Sequence, residues 1–240
     1  MMKKNFLPQQ YQKNSMLKIN HSYLIEQFSD YSKIFKKIQK VVLKGDYTLG
    51  NEVDKFEKNI SKRMGSKHTV AVGNGTDALF LVLKAFNIGL GDEIITTPFT
   101  FIATVASIAT AGAKPVFVDV KDDYNIDEDK IEAAITKKTK AIMPVHYSGS
   151  VGKLTELISL AKKKKLRIVE DAAHAFGTKF KNKLIGSFGD ITCFSFDGIK
   201  NITSGEGGCL VTNDRKVINL AKDIRLLGVS NESNKRYLGH

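Results

Sequence analysis

The chain has 240 residues, 42% of them hydrophobic, enough to bury a substantial core in one large domain or two small ones. Its formal charge of +12 arises from 37 basic against 25 acidic residues, but only five of the basic ones are arginine, the usual reader of bases. The lysines are scattered without interleaved aromatics, so the charge reads as a lysine-rich solvated surface, which argues against a nucleic-acid partner.

Residues 1 to about 27 are polar and aperiodic and read as an N-terminal arm, with no apolar run long enough for a signal or a membrane span. From Phe28 the positions Phe28, Tyr31, Ile34, Phe35, Ile38, Val41 and Val42 follow helical spacing up to a stop at Gly45. A second helix is predicted over roughly 51 to 64, with Val53, Phe56, Ile60 and Met64 on one face and Gly65 just past its end. The pattern then alternates. Strand "HTVAV" leads to a helix from Thr76, strand "EIITT" to helix "TFIATVASIATA", and strand "PVFVDV" to a helix from Asp127. Strand "KAIMPV", a helix over 153 to 165 ending in "KKKK", and strand "LRIVED" complete the series. Short apolar strands joined by helices predict an α/β fold with a mainly parallel sheet covered on both faces.

After Asp171 the alternation breaks. "GTKFKNKLIGSFGD" reads as a hairpin, "ITCFSF" and "GGCLVT" are two strands with no helix between them, and a last helix starts near Asp214. Cys193 and Cys209 sit in those apolar strands without a C-x-x-C pairing, which predicts buried free thiols in a reducing cytoplasm. The closing "NKRYLGH" carries no capping residue, so a further C-terminal part is expected to be missing.

"AVGNGTDALF" (71–80) spaces Gly73, Gly75 and Ala78 as G-x-G-x-x-A between a strand and a helix, an arrangement that brings backbone N–H groups to a phosphate. A dinucleotide site also needs an acidic residue closing the next strand. Asp92 and Glu93 instead precede the apolar run "IITT", so the dinucleotide reading fits poorly.

Ligands of open α/β sheets bind beyond the carboxyl ends of the strands. The chain places there the Gly73–Thr76 turn, "PFTF" (98–101), His146, Asp171 with His174, and "SFDGIKNITSGEGG" (195–208). Asp171 ends a buried strand, where a carboxylate calls for a cation, a metal or a protonated ring. Lys200 follows another buried strand; partial desolvation there favours a nucleophilic amine, although a lysine in a loop is more often plain surface. A phosphate turn, a strand-end aspartate and a loop lysine together suit pyridoxal 5′-phosphate, and no metal-ligand spacing competes.

"NGTDAL", "GDEIITTPFTFIAT", "AGAKPVFVDV", "TKAIMPVHYSG", "VEDAAHAFG", "GSFGDITCFSF" and "KNITSGEGG" resemble, in order, the DegT/DnrJ/EryC1/StrS family of pyridoxal-phosphate sugar aminotransferases over about residues 28–240. The resemblance implies a type I aminotransferase-like large domain without its C-terminal small domain. It also implies transfer of an amino group from glutamate or glutamine to a keto group of a nucleotide-linked deoxysugar, for amino-sugar and surface-polysaccharide synthesis, by a cytoplasmic homodimer. Position by position, Lys200 would take the cofactor aldehyde and carry the catalytic proton. Asp171 would keep the pyridine nitrogen protonated, and Ser195, Gly75, Thr76 and Asp77 would hold the phosphate. Phe101 would stack on the ring, and His174, where glutamine is common, would lie near the ring hydroxyl or be a histidine satisfied by backbone. "FDGI" between Ser195 and Lys200 departs from the commoner wording and keeps the spacing. Two alternatives stay open on the same scaffold: a sugar dehydratase, whose replaced lysine or iron–sulfur cysteines are not seen here, and a regulatory relative without turnover.

Overall fold

The computed structural model describes residues 24–228, which fall into two compact units divided between Gly50 and Asn51. The arm expected over residues 1–27 therefore lies almost wholly outside the described residues. The first unit holds α1 (Leu24–Gln27) and α2 (Tyr31–Lys44). The helix predicted from Phe28 starts instead at Tyr31, because the Phe28 N–H closes α1 onto the Leu24 carbonyl and Ser29 Oγ binds the Glu26 carbonyl. It ends at Gly45 as expected, where a φ of +67° lets the N–H reach back to the Val42 carbonyl.

The second unit starts with α3 (Asn51–Met64), which has the predicted bounds. Alternating elements follow: β1 (His68–Val72), α4 (Gly75–Ala85), β2 (Glu93–Thr96), α5 (Ile102–Thr110), β3 (Lys114–Phe117), α6 (Glu128–Ala134), β4 (Thr139–Ile142), α7 (Leu154–Lys164) and β5 (Arg167–Asp171). The excursion after Asp171 is a small hairpin of β6 (Lys179–Phe180) and β7 (Lys183–Leu184), turned at Lys181 and Asn182, both at positive φ as a tight right-twisting hairpin requires. β8 (Ile191–Ser195), β9 (Gly208–Thr212) and α8 (Arg215–Arg225) complete the unit, with Asp214 capping α8 through its side chain.

Seven strands form one sheet in the order β1-β9-β8-β5-β4-β2-β3. β9 pairs antiparallel with both β1 and β8, and all other pairings are parallel. The strands read as continuous apolar runs because both faces are covered. Ile94, Met143, Val169, Cys193 and Leu210 face a core with residues of α4, α5 and α8, while Ile95, Ile142 and Ile168 face the opposite side with Ile131 of α6 and Leu157 of α7. Phe194, Cys209 and Val211 pack with Ile60 and Met64 of α3. Burial pushes the thiols of Cys193 and Cys209 up, which keeps them protonated and inert.

β1 is an edge strand, and two side chains complete its hydrogen bonding. The Ala71 N–H donates to Glu57 Oε1 at 3.0 Å, the Ala71 carbonyl accepts from Arg225 at 2.9 Å, and Arg225 closes the ring on Glu57. An α3 carboxylate and an α8 guanidinium thus stand where a further strand would pair. Glu57→Ala should lower unfolding stability by about 2 kcal/mol, since it leaves the Ala71 N–H unpaired and takes the carboxylate from the half-buried Arg225, which keeps the Ala71 carbonyl; urea denaturation of both proteins measures the difference.

Candidate active site

Period-two alternation decides which strand-end side chains meet. Val169 and Cys193 lie under α4 and α5, so Asp171 and Ser195, each two residues further on, point to that same face. There the carboxyl ends of β1, β5 and β8 open into a cavity of about 750 Å³. Its wall includes Gly75 and Thr76 from the start of α4, Phe101 from the start of α5, Asp171 and His174 from the β5 end, and Ser195 and Lys200 beyond β8.

The phosphate-type turn is built by close backbone approach. A Cβ on Gly208 would lie 2.4 Å from the Asn74 carbonyl group, and one on Gly75 would lie 2.8 Å from Ser195 Cβ, so two glycines let the start of α4 seat against β9 and β8. Asn74 caps α4, its Oδ1 accepting from the Asp77 N–H at 2.7 Å. Gly75 and Thr76 occupy the first helical positions, whose N–H groups have no intrahelical acceptor and face an anion well. Asp77 is the one predicted site residue that the cavity wall does not include. Its carboxylate is turned back onto Asn74 Nδ2 at 3.0 Å, so its place is in the cap beneath the turn.

Asp171 is buried and held from two sides: Oδ2 accepts from Thr104 Oγ1 at 2.7 Å and Oδ1 from the Ala173 N–H at 3.2 Å. Its neighbour Glu170 points to the other face and is saturated there by His146 Nε2, Thr192 Oγ1 and the Gly189 N–H. His146, a strand-end candidate by sequence, is thus tied to Glu170 at 2.8 Å. His174 Nδ1 accepts from the Ser148 N–H at 3.3 Å, which leaves the proton of the neutral ring on Nε2. Burial holds the His174 pKa below the usual histidine value; the nearby Lys200 lowers it further and Asp171 opposes both.

Lys200 closes a turn that Asp197 shapes, with the Lys200 N–H on the Asp197 carbonyl at 3.0 Å and the Ile199 N–H on Asp197 Oδ1 at 3.0 Å. The "FDGI" wording keeps the Ser195–Lys200 spacing through this Asx turn. The loop beyond is stapled back onto the Phe196 carbonyl by the Ser204 N–H and Thr203 Oγ1, and Asn201 Nδ2 binds the Phe176 carbonyl. Among the described residues no carboxylate lies within 4.0 Å of the Lys200 amine, and no cluster of three or more His, Cys, Asp or Glu could hold a metal ion. Asn74, Thr104 and Asn201 were not singled out from the sequence. A hydroxyl at Thr104, inside the apolar run "FIATVASIA", was the one available signal for the second of them.

Pyridoxal phosphate needs an anion seat, a carboxylate for its ring nitrogen, an amine for its aldehyde and a flat neighbour for its ring. The glycine-lined helix start beside Ser195, together with Asp171, Lys200 and Phe101, fits each requirement within one cavity.

The description of the DegT/DnrJ/EryC1/StrS aminotransferase family matches residues 29–240. The chain is 40% identical over 210 residues to dTDP-3-amino-3,4,6-trideoxy-alpha-D-glucose transaminase of Micromonospora megalomicea, covering 87% of this chain and 56% of that protein. A DegT DnrJ EryC1 StrS aminotransferase from Brucella abortus superposes with a TM-score of 0.87 at 34% identity, over 91% of this chain and 61% of that one. NtdA from Bacillus subtilis, with bound cofactor PMP, superposes with a TM-score of 0.83 at 30% identity, over 88% of this chain and 48% of that one. The chain spans about half the length of the curated relatives it matches.

Two consequences are measurable. Gly208→Ala should cost about 3 kcal/mol, the upper end for overpacking, because the clash is with backbone and not with a side chain that can turn away; the denaturant midpoint reads it. The folded protein protonates His174 less readily than the unfolded chain does. Stability from this group is therefore full above the ordinary histidine pKa of about 6.5 and declines as pH falls below it. His174→Gln should flatten that decline in midpoints measured across the interval.

Proposed function

The chain belongs to the DegT/DnrJ/EryC1/StrS aminotransferase family, and from that premise we propose that it binds pyridoxal 5′-phosphate and moves an amino group from glutamate or glutamine to a keto group of a nucleotide-linked sugar. The observation that carries this reading is the convergence of Asp171, Ser195, Lys200 and the α4 start on one cavity. The amine of Lys200 would take the cofactor aldehyde, and its Nζ is the group that would move the proton. The bound cofactor supplies a ring that withdraws the electron pair left when a C–H bond breaks.

Each other residue has a narrower task. Asp171 would keep a proton on the ring nitrogen, and its two donors hold the carboxylate in place. The first N–H groups of α4 and the Ser195 hydroxyl seat the phosphate. His174 would offer its Nε2–H to the ring hydroxyl, and Phe101 would cover a face of the ring, both from the cavity wall. Phe101 is 70% exposed and Ile199 68%, so the cavity rim is open and apolar; a second copy of the chain is the partner this reading assigns to it. The similarity to a dTDP-sugar transaminase supports a nucleotide-linked sugar as acceptor.

Incubation with pyridoxal phosphate, borohydride reduction and peptide mapping should place the label on Lys200, and glutamate added first should remove the visible absorbance band. Lys200→Ala should lose the label and lose turnover by on the order of a hundredfold or more. A label on other lysines only, or none, would contradict the proposal.

A further inference from the structure

Asp171 depends on a residue that never touches the cavity. Thr104, in the first turn of α5, is wholly buried, and its hydroxyl donates to Asp171 Oδ2 at 2.7 Å, a distance typical of a hydrogen bond to a charged acceptor. A hydroxyl has one proton to give. With that proton on Asp171, the 2.7 Å contact between Thr104 Oγ1 and Thr100 Oγ1 has Thr100 as donor, and a directed chain runs Thr100 to Thr104 to Asp171. Thr100 lies on the cavity wall, so the chain links that wall to the buried carboxylate. Phe101, the α5 cap residue, stands between the two threonines. One helix start therefore presents an aromatic face and, through Thr104, aims the carboxylate.

We infer that Thr104 is a positioning residue: its hydroxyl fixes the Asp171 carboxylate in the orientation that recognises a protonated ring nitrogen, with Thr100 reinforcing it. This inference rests on the proposed binding of pyridoxal phosphate. The remaining contact on Asp171, from the Ala173 N–H at 3.2 Å, is longer and holds Oδ1, so without Thr104 nothing anchors Oδ2. Glu170 cannot substitute, since it faces the other side and is saturated. The other titratable groups near Asp171 are Cys193 on β8, His174 in the turn that follows, His146 beyond β4 and Lys200 on the cavity wall; among the described residues, none of these donates a hydrogen bond to its carboxylate.

The test compares binding of pyridoxal phosphate with binding of its deaza analogue, which carries carbon in place of the ring nitrogen. Dissociation constants are measured by absorbance titration for the wild-type chain and for Thr104→Val, Thr104→Ser and Thr100→Val. The wild-type chain should prefer the natural ring. Thr104→Val should lose about tenfold of that preference, as expected for one hydrogen bond to a charged group, while binding the deaza analogue as before. Thr104→Ser should restore the preference, and Thr100→Val should lose a smaller part of it. General damage to folding would weaken both ligands alike and leave their ratio unchanged. A Thr104→Val protein that keeps the full preference would overturn the inference and leave the proposed function standing, and so would an unchanged ratio in Thr100→Val if Thr104→Val did not fold. A wild-type chain that binds both ligands equally, or neither, would overturn both.

Discussion

The arrangement of the site depends on one backbone approach, the seating of the α4 start over β9. β9 lies between β1 and β8, and its Gly208 is in register with Val72 on one side and Ser195 on the other. Because Gly208 has no side chain, the Asn74–Gly75 peptide can press onto the strand, and Gly75 can press onto Ser195. A helix start aimed at a strand-end hydroxyl is thereby fixed by main-chain packing, the least adjustable contact a protein has. The antiparallel direction of β9 belongs to the same constraint. A strand entering the sheet at its first residue, Gly208, brings that glycine to the edge where β1 and β8 end.

The adjacent carboxylates at the end of β5 show how the fold separates a charge enclosed by donors from one that borders the cavity. Glu170 and Asp171 point to opposite faces by strand alternation. Glu170, on the face away from the cavity, is enclosed by three donors, including His146. Asp171 has one donor on each oxygen and borders the cavity, so it retains acceptor capacity there. A buried charge costs less when it is hydrogen-bonded, and the unequal sharing of donors follows that rule.

Most of the fold was legible because it rests on period-two and helical spacing. The apolar runs ending at Val72, Asp171 and Ser195 became strands, and α3 has its predicted bounds because its apolar face and Gly65 stop are local signals. Local signals also account for the shift of α2: the Phe28 and Ser29 bonds form a turn within one helical period, which spacing alone does not distinguish from helix. In the site, Gly75, Thr76, Phe101, Asp171, His174, Ser195 and Lys200 were reachable as strand-end residues and are gathered at one cavity. Asp77 was placed with the phosphate contacts by resemblance; its carboxylate is turned back onto Asn74 in the helix cap, off the cavity wall. Thr104 and the Glu57–Arg225 closure of the sheet edge are pairings across 67 and 168 residues, which no single-chain pattern records.

A seat for pyridoxal phosphate that is already formed at the strand ends would be visible in a crystal structure of the chain grown with that cofactor. The phosphate should lie on the α4 start beside Ser195, the ring nitrogen against Asp171 and the ring on the Lys200 amine, with Gly75, Gly208 and Thr104 unmoved. Cofactor found elsewhere, or a seat that forms only after the α4 start shifts away from β9, would contradict it.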